Sequence, residues 1–279
     1  MKKVIVTGGL GFVGSNLVDK LVELQYDVTV VDDLSYGREE YKNPLAKYVI
    51  DDFKKYLLKP NEEVDIVFHL AAEARIQPSF GNPLYTCEYN SYGSAIVGEF
   101  ARKSKCKVVY AGSSSYYGGV YLNPYAFAKW QGEEVLKMYS EIYEVPVSIA
   151  RFFNVYGPRN PLIGQYTPVV AIFEEQMKEG RELTIVGDGE QRRDFTHVFD
   201  ICDGLIAISR DKWSGEVFNL GTGKNYSINE LADLFGGDKK YLPARRGEAR
   251  ITLADISKTT DLTGWLPRYN LEDYIKELK

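Results

Sequence analysis

The first half of the chain alternates between short apolar runs and stretches with helical spacing. Between the first two runs, Leu17, Leu21 and Leu24 recur at intervals of four and three residues, as on one face of a helix. Uninterrupted apolar strands separated by helices are typical of a parallel sheet covered on both faces. The pattern therefore predicts a doubly wound α/β domain. The predicted strands are Val4–Thr7, Val28–Asp32, Ile66–Leu70, Val108–Ala111 and Val147–Ala150.

Later stretches add less regular elements. Ala95, Val97 and Phe100 form one further helical row, and Val135, Met138 and Ile142 form another. Residues 180–189 and 215–223 resemble short strands that end in turns. Residues 227–235 predict a helix with Ser227 as its N-cap and Glu230 as the capping-box partner.

Composition narrows the class of protein. The chain has 279 residues, 44% hydrophobic and 26% charged, which suits a globular protein with a sizeable core. The net charge of −5 argues against nucleic acid or an anionic membrane as the main partner. No apolar stretch approaches 18 residues and no leader-like segment opens the chain, so we expect a cytoplasmic protein. Three cysteines without C-x-x-C spacing indicate reduced thiols, and two histidines make a metal site an unfavoured hypothesis.

Three glycines follow the first predicted strand in the pattern G-x-x-G-x-x-G. Gly8 permits a tight turn, Gly11 lets the backbone approach a pyrophosphate, and Gly14 lets the next helix pack close to the strand. The helix N-terminus then offers N–H groups to the phosphates. Asp32 follows Gly14 by 18 residues and can accept a hydrogen bond from an adenosine ribose, which favours NAD over NADP. The alternatives are a plain glycine turn and a solvated acidic pair at Asp32 and Asp33.

A second constellation carries acid–base chemistry. Tyr125 and Lys129 lie four residues apart, so on a helix they share one face. A free tyrosine has a pKa of about 10, and a nearby ammonium favours the phenolate and brings that pKa toward neutrality. The preceding serines, Ser113–Ser115, follow a predicted strand. An ordinary amphipathic helix and a flexible polar turn are the alternatives.

These motifs together resemble the extended short-chain dehydrogenase/reductase superfamily, and within it the NAD-dependent epimerase/dehydratase family of the UDP-glucose 4-epimerase type. The resemblance rests on "TGGLGFVG", "VVYAGSSSYYG" and "NPYAFAKW" in the first half. In the second half it rests on "RFFNVYGPR", "GDGEQRRDFTHVFD" and "PARRGEARITLAD". It implies a Rossmann domain over residues 1–153, to which the chain returns around 190–220, and a smaller mixed α/β nucleotide-sugar domain mainly over 154–279.

The resemblance also implies site residues. As catalytic groups it gives Ser113, Tyr125 and Lys129. As cofactor-binding residues for NAD it gives Gly8, Gly11, Phe12, Val13, Gly14, Asp32, Asp33, Asp52, Phe53, Leu70, Ala71, Ala72, Asn90, Tyr125 and Lys129. As substrate-binding residues it gives Ser113, Tyr125, Asn154, Gln165, Arg193, Arg245, Glu248 and Thr252, with Arg193, Arg245 and Asn154 on the diphosphate.

The activity implied is the interconversion of UDP-glucose and UDP-galactose through a transient 4-keto sugar. Thr252, a small residue near the sugar, adds N-acetylhexosamines to the expected substrates. A 4,6-dehydratase is disfavoured because Ser114 and Ser115 stand where those enzymes carry an acid, and Asp32 disfavours an NADPH-dependent reductase. A non-catalytic NAD-binding regulator would need none of the three catalytic residues.

The sequence departs from the family pattern at two places, and the resemblance also implies a partner chain. Only Gly119–Pro124 separate the Tyr-Gly pair from Tyr125, where the family has a longer loop, and the C-terminal domain is short. The resemblance further implies a homodimer, in which helices around Leu84–Lys103 and Tyr125–Tyr143 pair with their copies. Exposed aromatic residues at Tyr89, Tyr92 and Trp130 suit such an interface.

Overall fold

One large parallel sheet forms the centre of the protein. The structure, a computed structural model, describes residues 1–59, 63–161 and 167–279. Within these residues, seven strands lie side by side and all neighbouring pairs are parallel. In spatial order they are β3 (Lys47–Ile50), β2 (Asp27–Asp32), β1 (Lys3–Thr7), β4 (Ile66–His69), β5 (Lys107–Ser113), β6 (Val147–Phe152) and β11 (Ser214–Leu220).

Helices cover both faces of this sheet, because its central strands are apolar on both sides. Val4 and Val6 of β1 join one buried cluster, and Ile5 between them joins the other. The first cluster lies under α1 (Phe12–Glu23) and α9 (Val198–Ile208); the second lies under α2 (Phe53–Leu57), α5 (Gly93–Ser104) and α7 (Pro124–Tyr143). Shorter helices connect these layers: α3 (Ile76–Gly81), α4 (Pro83–Cys87), α6 (Ser115–Gly118) and α11 (Ser257–Thr263), with a 3₁₀ turn at Glu39–Tyr41 and a π turn at Glu88–Tyr92.

A smaller, mixed α/β unit has a third buried cluster of its own, which includes Phe173, Leu231 and Phe235. Its strand pairs are β10 with β7 and β13 with β8, both parallel, and β12 with β9, which is antiparallel. The elements are β7 (Val155–Tyr156), α8 (Val169–Lys178), β8 (Leu183–Val186), β9 (Arg192–Asp194), β10 (Thr196–His197), β12 (Asn225–Ser227), α10 (Ile228–Phe235), β13 (Lys239–Leu242) and α12 (Leu271–Glu277).

The predicted doubly wound sheet and its five strands are confirmed, and so is the capping box of Ser227 and Glu230. Strand β3 was not predicted, because this edge strand has a neighbour on one side only and a half-exposed, mixed pattern. Strand β11 and helix α9 lie beyond residue 153 yet belong to the large sheet and its core. The exact domain division stays a prediction.

Helix α7 is confirmed, but its predicted apolar row does not face the core. Met138 and Ile142 are 38% and 64% exposed, whereas Lys129, Glu133 and Leu136 are buried. The buried side of this helix therefore includes charged groups beside Leu136, whereas Met138 and Ile142 face outward.

The strand order reverses between β1 and β4, which opens a crevice at the carboxyl ends of these strands, the usual ligand site of such sheets. None of the helices in the described ranges is long and apolar enough to cross a membrane. The expected cytoplasmic location stays a prediction.

Candidate active site

A cavity of about 870 Å³ opens at this crevice and extends to the smaller unit. Its lining includes the glycine turn, the serine turn after β5, the first turns of α7, and Asn154, Arg193 and Thr252. Most of the residues predicted for cofactor, catalysis and substrate thus line one continuous space.

The glycine turn has the geometry that a pyrophosphate requires. Gly8 has φ +70°, and a Cβ on Gly14 would lie 2.1 Å from the carbonyl oxygen of Gly8. The turn therefore needs glycine both for its backbone conformation and for the close approach of α1. Gly11 caps α1 without a side-chain hydrogen bond, and Gly11, Phe12, Val13 and Gly14 line the cavity. The first N–H groups of α1 are thus available to a phosphate. The residues present fit the dinucleotide.

Asp32 links the glycine turn to the end of β2. Its carboxylate accepts hydrogen bonds from the backbone N–H groups of Leu10 and Leu34, each at 2.9 Å. Burial raises the pKa of Asp32, and these two bonds oppose the shift. Each carboxylate oxygen has a second lone pair, so Asp32 can hold the turn and still accept from a ribose hydroxyl. The exposed Asp33 also lines the cavity, and its side chain accepts from the backbone of Ser35.

Ser113, Tyr125 and Lys129 come together at the end of β5 and the start of α7. Asn123 caps this helix by accepting from the Ala126 N–H at 2.7 Å, and Pro124 occupies the first turn. The Ser113 hydroxyl lies close enough to the Tyr125 phenol to lower its pKa. The pKa of Tyr125 is nonetheless raised, because burial outweighs the influence of Ser113 and the charge of Arg75. Burial also lowers the pKa of Lys129 to about 7.

The expectation is that Lys129 and the positively charged nicotinamide together favour the phenolate of Tyr125, and the structure shows the electrostatics of the protein's own groups. Both groups are buried, and burial disfavours the charged form of each. The arginine that lowers the pKa of Tyr125 is Arg75, in the loop after β4.

The serine turn is ordered by its own hydroxyls. The Ser115 N–H donates to Ser113 Oγ at 3.2 Å, and the two Oγ atoms lie 2.9 Å apart. The Ser114 N–H donates to the Phe152 carbonyl of β6 at 3.1 Å. All three serines line the cavity, so the positions after Ser113 carry hydroxyls and no acid.

The loop after β4 contributes residues that the sequence analysis missed. Leu70, Ala71 and Ala72 line the cavity as predicted, and Glu73 and Arg75 line it as well. Glu73 is 5% exposed, and burial raises its pKa. The letters "AAEAR" held the signal, since two charged residues directly follow a predicted cofactor loop.

The Asn90 side chain holds the backbone of this same loop. Its side chain accepts from the Glu73 N–H at 2.9 Å and donates to the Glu73 carbonyl at 2.8 Å. It does not line the cavity in the described part of the chain. The structure therefore places Asn90 as a brace for the loop, and a direct contact with the cofactor stays a prediction.

Of the predicted pair Asp52 and Phe53, only one residue lines the cavity. Phe53 lines the cavity, whereas the Asp52 side chain caps α2 by accepting from the Lys54 N–H at 2.9 Å. Asp52 also pairs with the Lys54 ammonium at 3.2 Å.

On the substrate side, Asn154, Arg193 and Thr252 lie close together. The Asn154 amide donates to the Asp194 carbonyl at 2.8 Å and lies 3.4 Å from Thr252 Oγ1. Arg193 pairs with Glu248 at 3.7 Å, and burial lowers the pKa of its guanidinium. A buried guanidinium with five donors and one distant carboxylate is suited to a further anion.

Arg245 and Glu248 do not line the cavity, and Arg245 is exposed. Arg245 lies outside the cavity because two hydrogen bonds fix the backbone of residues 243–250. The Gln77 side chain donates to the Arg246 carbonyl at 3.0 Å, and the Asn123 side chain donates to the Gly247 carbonyl at 2.8 Å. These contacts bring Gly247 to the cavity and leave Arg245 outside it. Gln165 lies outside the described residues.

Known proteins resemble this chain along nearly its whole length. The UDP-glucose 4-epimerase of Mycolicibacterium smegmatis is 32% identical over 98% of this chain and 96% of its own. UDP-glucuronic acid decarboxylase 1 of Xenopus tropicalis is 31% identical over 98% of this chain and 70% of its own. The crystal structure of UDP-glucose 4-epimerase from Thermotoga maritima with UDP-glucose superposes with a TM-score of 0.92, at 33% identity, over 98% of this chain and 96% of that one.

The family assignment follows from the match and agrees with the cavity. Residues 4–221 match the NAD dependent epimerase/dehydratase family. This range contains the glycine turn, the serine turn, the tyrosine–lysine pair and Arg193. The predicted family and the predicted NAD cofactor are thereby confirmed. The chain belongs to the NAD-dependent epimerase/dehydratase family.

Proposed function

We propose that the protein is a nucleotide-sugar 4-epimerase that interconverts UDP-glucose and UDP-galactose. The observation that carries the proposal is one cavity with three parts: the glycine turn at one end, the neighbouring Ser113 and Tyr125 in the middle, and the buried Arg193 on the substrate side. A nucleotide sugar with its diphosphate at Arg193 presents its hexose toward Tyr125.

Tyr125 accepts the proton of the sugar 4-hydroxyl and returns it after the 4-keto sugar has turned over in the site. Ser113, next to the phenol, shares that proton and orients the sugar hydroxyl. When bound, NAD supplies the hydride acceptor and donor, so no net oxidation results. Lys129, which lines the same cavity, would hold the nicotinamide ribose.

The diphosphate is held by the substrate side of the cavity. Arg193 offers a charge-assisted fork, and Asn154 offers its amide beside it. Asp32 accepts the adenosine ribose hydroxyls and repels a 2′-phosphate, which favours NAD over NADP. Thr252, next to Asn154 in the cavity lining, is a small side chain, so we extend the proposal to the N-acetylhexosamine pair.

A second candidate acts on a charged sugar. Arg75 lines the cavity and acts electrostatically on Tyr125, and a cation there suits a carboxylate on the hexose. A relative of this chain is named a UDP-glucuronic acid decarboxylase. The dehydratase is less favoured, since Ser114 and Ser115 offer no acid.

The test is a proton NMR time course of the purified protein with UDP-galactose and no added NAD, with Tyr125→Phe as the control. Appearance of UDP-glucose with wild type alone supports the 4-epimerase, and turnover without added cofactor supports retained NAD. No turnover of UDP-galactose after NAD is supplied contradicts the leading substrate. UDP-N-acetylgalactosamine and UDP-glucuronic acid then test the acetyl extension and the second candidate.

We also propose that the enzyme is a homodimer. The outward side of α4, the π turn and α7 carries large apolar residues, among them Leu84, Tyr92 and Ile142 at 83%, 60% and 64% exposure. A second copy that covers this face removes it from water. Light scattering should give a dimer for wild type and a monomer for Ile142→Glu. Leu45→Glu, at an 80% exposed site elsewhere, should stay a dimer. A monomeric wild type would contradict the proposal.

A further inference from the structure

Arg151, in β6, lies between the two segments that carry the catalytic hydroxyls. On one side its guanidinium forms a two-pronged ion pair with Glu133 of α7, at 2.6 and 3.1 Å. The two side chains are 6% and 1% exposed. On the other side the guanidinium carbon lies 3.5 Å from the centre of the Tyr116 ring.

Both contacts need a planar guanidinium. The fork matches the carboxylate, and its flat face stacks on the aromatic ring. The backbone is shaped for the pair as well, since a Cβ on Gly112 would lie 2.8 Å from Glu133 Oε1. Burying two charges costs desolvation free energy that can exceed their mutual attraction. Stability alone therefore does not explain why this ion pair is buried.

The two partners of Arg151 each belong to a catalytic segment. Tyr116 lies in the turn whose Ser115 hydrogen-bonds to Ser113. Glu133 lies on α7 four residues after Lys129 and eight after Tyr125, on the same buried side of the helix. Arg151 thus connects the segment that carries Ser113 to the helix that carries Tyr125.

We propose that Arg151 and Tyr116 are positioning residues that set the distance between the Ser113 hydroxyl and the Tyr125 phenol. Neither residue lines the cavity among the described residues, so they act through Ser113 and Glu133. The effect on turnover rests on the proposed function. The effect on the Ser113–Tyr125 contact does not depend on the substrate.

The discriminating variant is Tyr116→Leu, because it removes the aromatic face and changes no charge near Tyr125. Tyr116→Phe keeps that face and serves as the conservative rescue. Tyr241→Leu removes a comparably exposed tyrosine from β13 and serves as the control. Arg151→Lys, which keeps the charge beside Glu133 and loses the planar contact, is the second variant should Tyr116→Leu fail to fold.

The first measurement is NMR of the holoenzyme labelled with ¹³Cζ-tyrosine, in which Tyr125→Phe identifies the Tyr125 resonance. We expect this resonance to move in Tyr116→Leu and in Arg151→Lys. It should coincide with wild type in Tyr116→Phe and in Tyr241→Leu. An unmoved resonance in a folded Tyr116→Leu or Arg151→Lys overturns the proposal.

The second measurement is kinetic. With UDP-galactose, kcat of Tyr116→Leu should fall about 10-fold with KM unchanged, since misplaced catalytic groups slow chemistry more than binding. Tyr116→Phe should keep the wild-type kcat. A higher KM with an unchanged kcat in Tyr116→Leu contradicts the proposal. If wild type turns over no nucleotide sugar, the proposed function fails, and the resonance of Tyr125 still decides the positioning role.

Discussion

The turn after β1 and the strand that carries Arg193 line the same cavity, yet they present ligand-binding groups by different means. The glycine turn presents backbone N–H groups, and its shape follows from three glycines and the N-terminus of α1. The substrate side presents side chains from β9 and from the segments after β6 and β13, elements far apart in the chain.

This difference determines what substitutions do in each half. In the cofactor half, an added methyl group collides with backbone, which cannot move without breaking the turn. In the substrate half, side chains such as Arg193 and Asn154 can be exchanged with little strain, so specificity can change while the fold persists.

Between the two halves lies the catalytic pair, where the largest effect is expected. Tyr125→Phe removes the proton acceptor and keeps the ring, so kcat should fall by about 10² to 10⁴-fold. The retained NAD and the melting temperature should stay close to wild type. Tyr121→Phe, which removes a hydroxyl at an 82% exposed position, is the matched control for turnover. Substantial activity in Tyr125→Phe would remove Tyr125 from the mechanism.

The next substitution tests the cofactor half. A Cβ on Gly14 would lie 2.1 Å from the Gly8 oxygen, so Gly14→Ala should lose about 1–3 kcal/mol of unfolding free energy and its bound NAD. Gly81→Ala places the same methyl group in open space and should keep both. Chemical denaturation and the nucleotide released on heating measure the two effects. A Gly14→Ala protein that retains NAD would contradict the backbone argument.

Arg193→Lys tests the substrate half by keeping the charge and removing the fork. Loss of charge-assisted bonds worth about 1.5–3 kcal/mol should weaken UDP binding roughly 10- to 100-fold. NAD content should not change. The neighbouring Arg192 pairs with Glu230 and Asn225 away from the cavity, so Arg192→Lys should bind UDP as wild type does. Equal losses in both variants would place the diphosphate elsewhere.

The same contrast explains what could be predicted from the sequence. The strands of the large sheet, the glycine turn and the row of Tyr125 and Lys129 follow from local periodicity and spacing. Arg245 could not be placed this way, because contacts of Gln77 and Asn123, more than a hundred residues earlier, decide where residues 243–250 lie. The edge strand β3 has too little burial to leave an apolar pattern. The electrostatic role of Arg75 depends on a loop conformation that spacing does not encode.

The last substitution concerns Lys129, which lies buried between the cofactor half and the substrate half of the cavity. In the folded protein its pKa is about 7, against about 10.4 for an unfolded lysine. Between these values the unfolded chain binds one more proton, so the stability of the folded state rises with pH over this window. The cost of burying Lys129 is therefore greatest below pH 7 and vanishes near pH 10.

Cofactor-free Lys129→Met should be more stable than wild type at pH 6.5, and this advantage should shrink by pH 9.5. Urea unfolding at both pH values measures the difference, with Lys137→Met, an ion-paired lysine two turns further along α7, as the control. An advantage that stays constant between the two pH values would mean that Lys129 remains charged in its buried site, held by Glu133, and that the tyrosine faces a full ammonium.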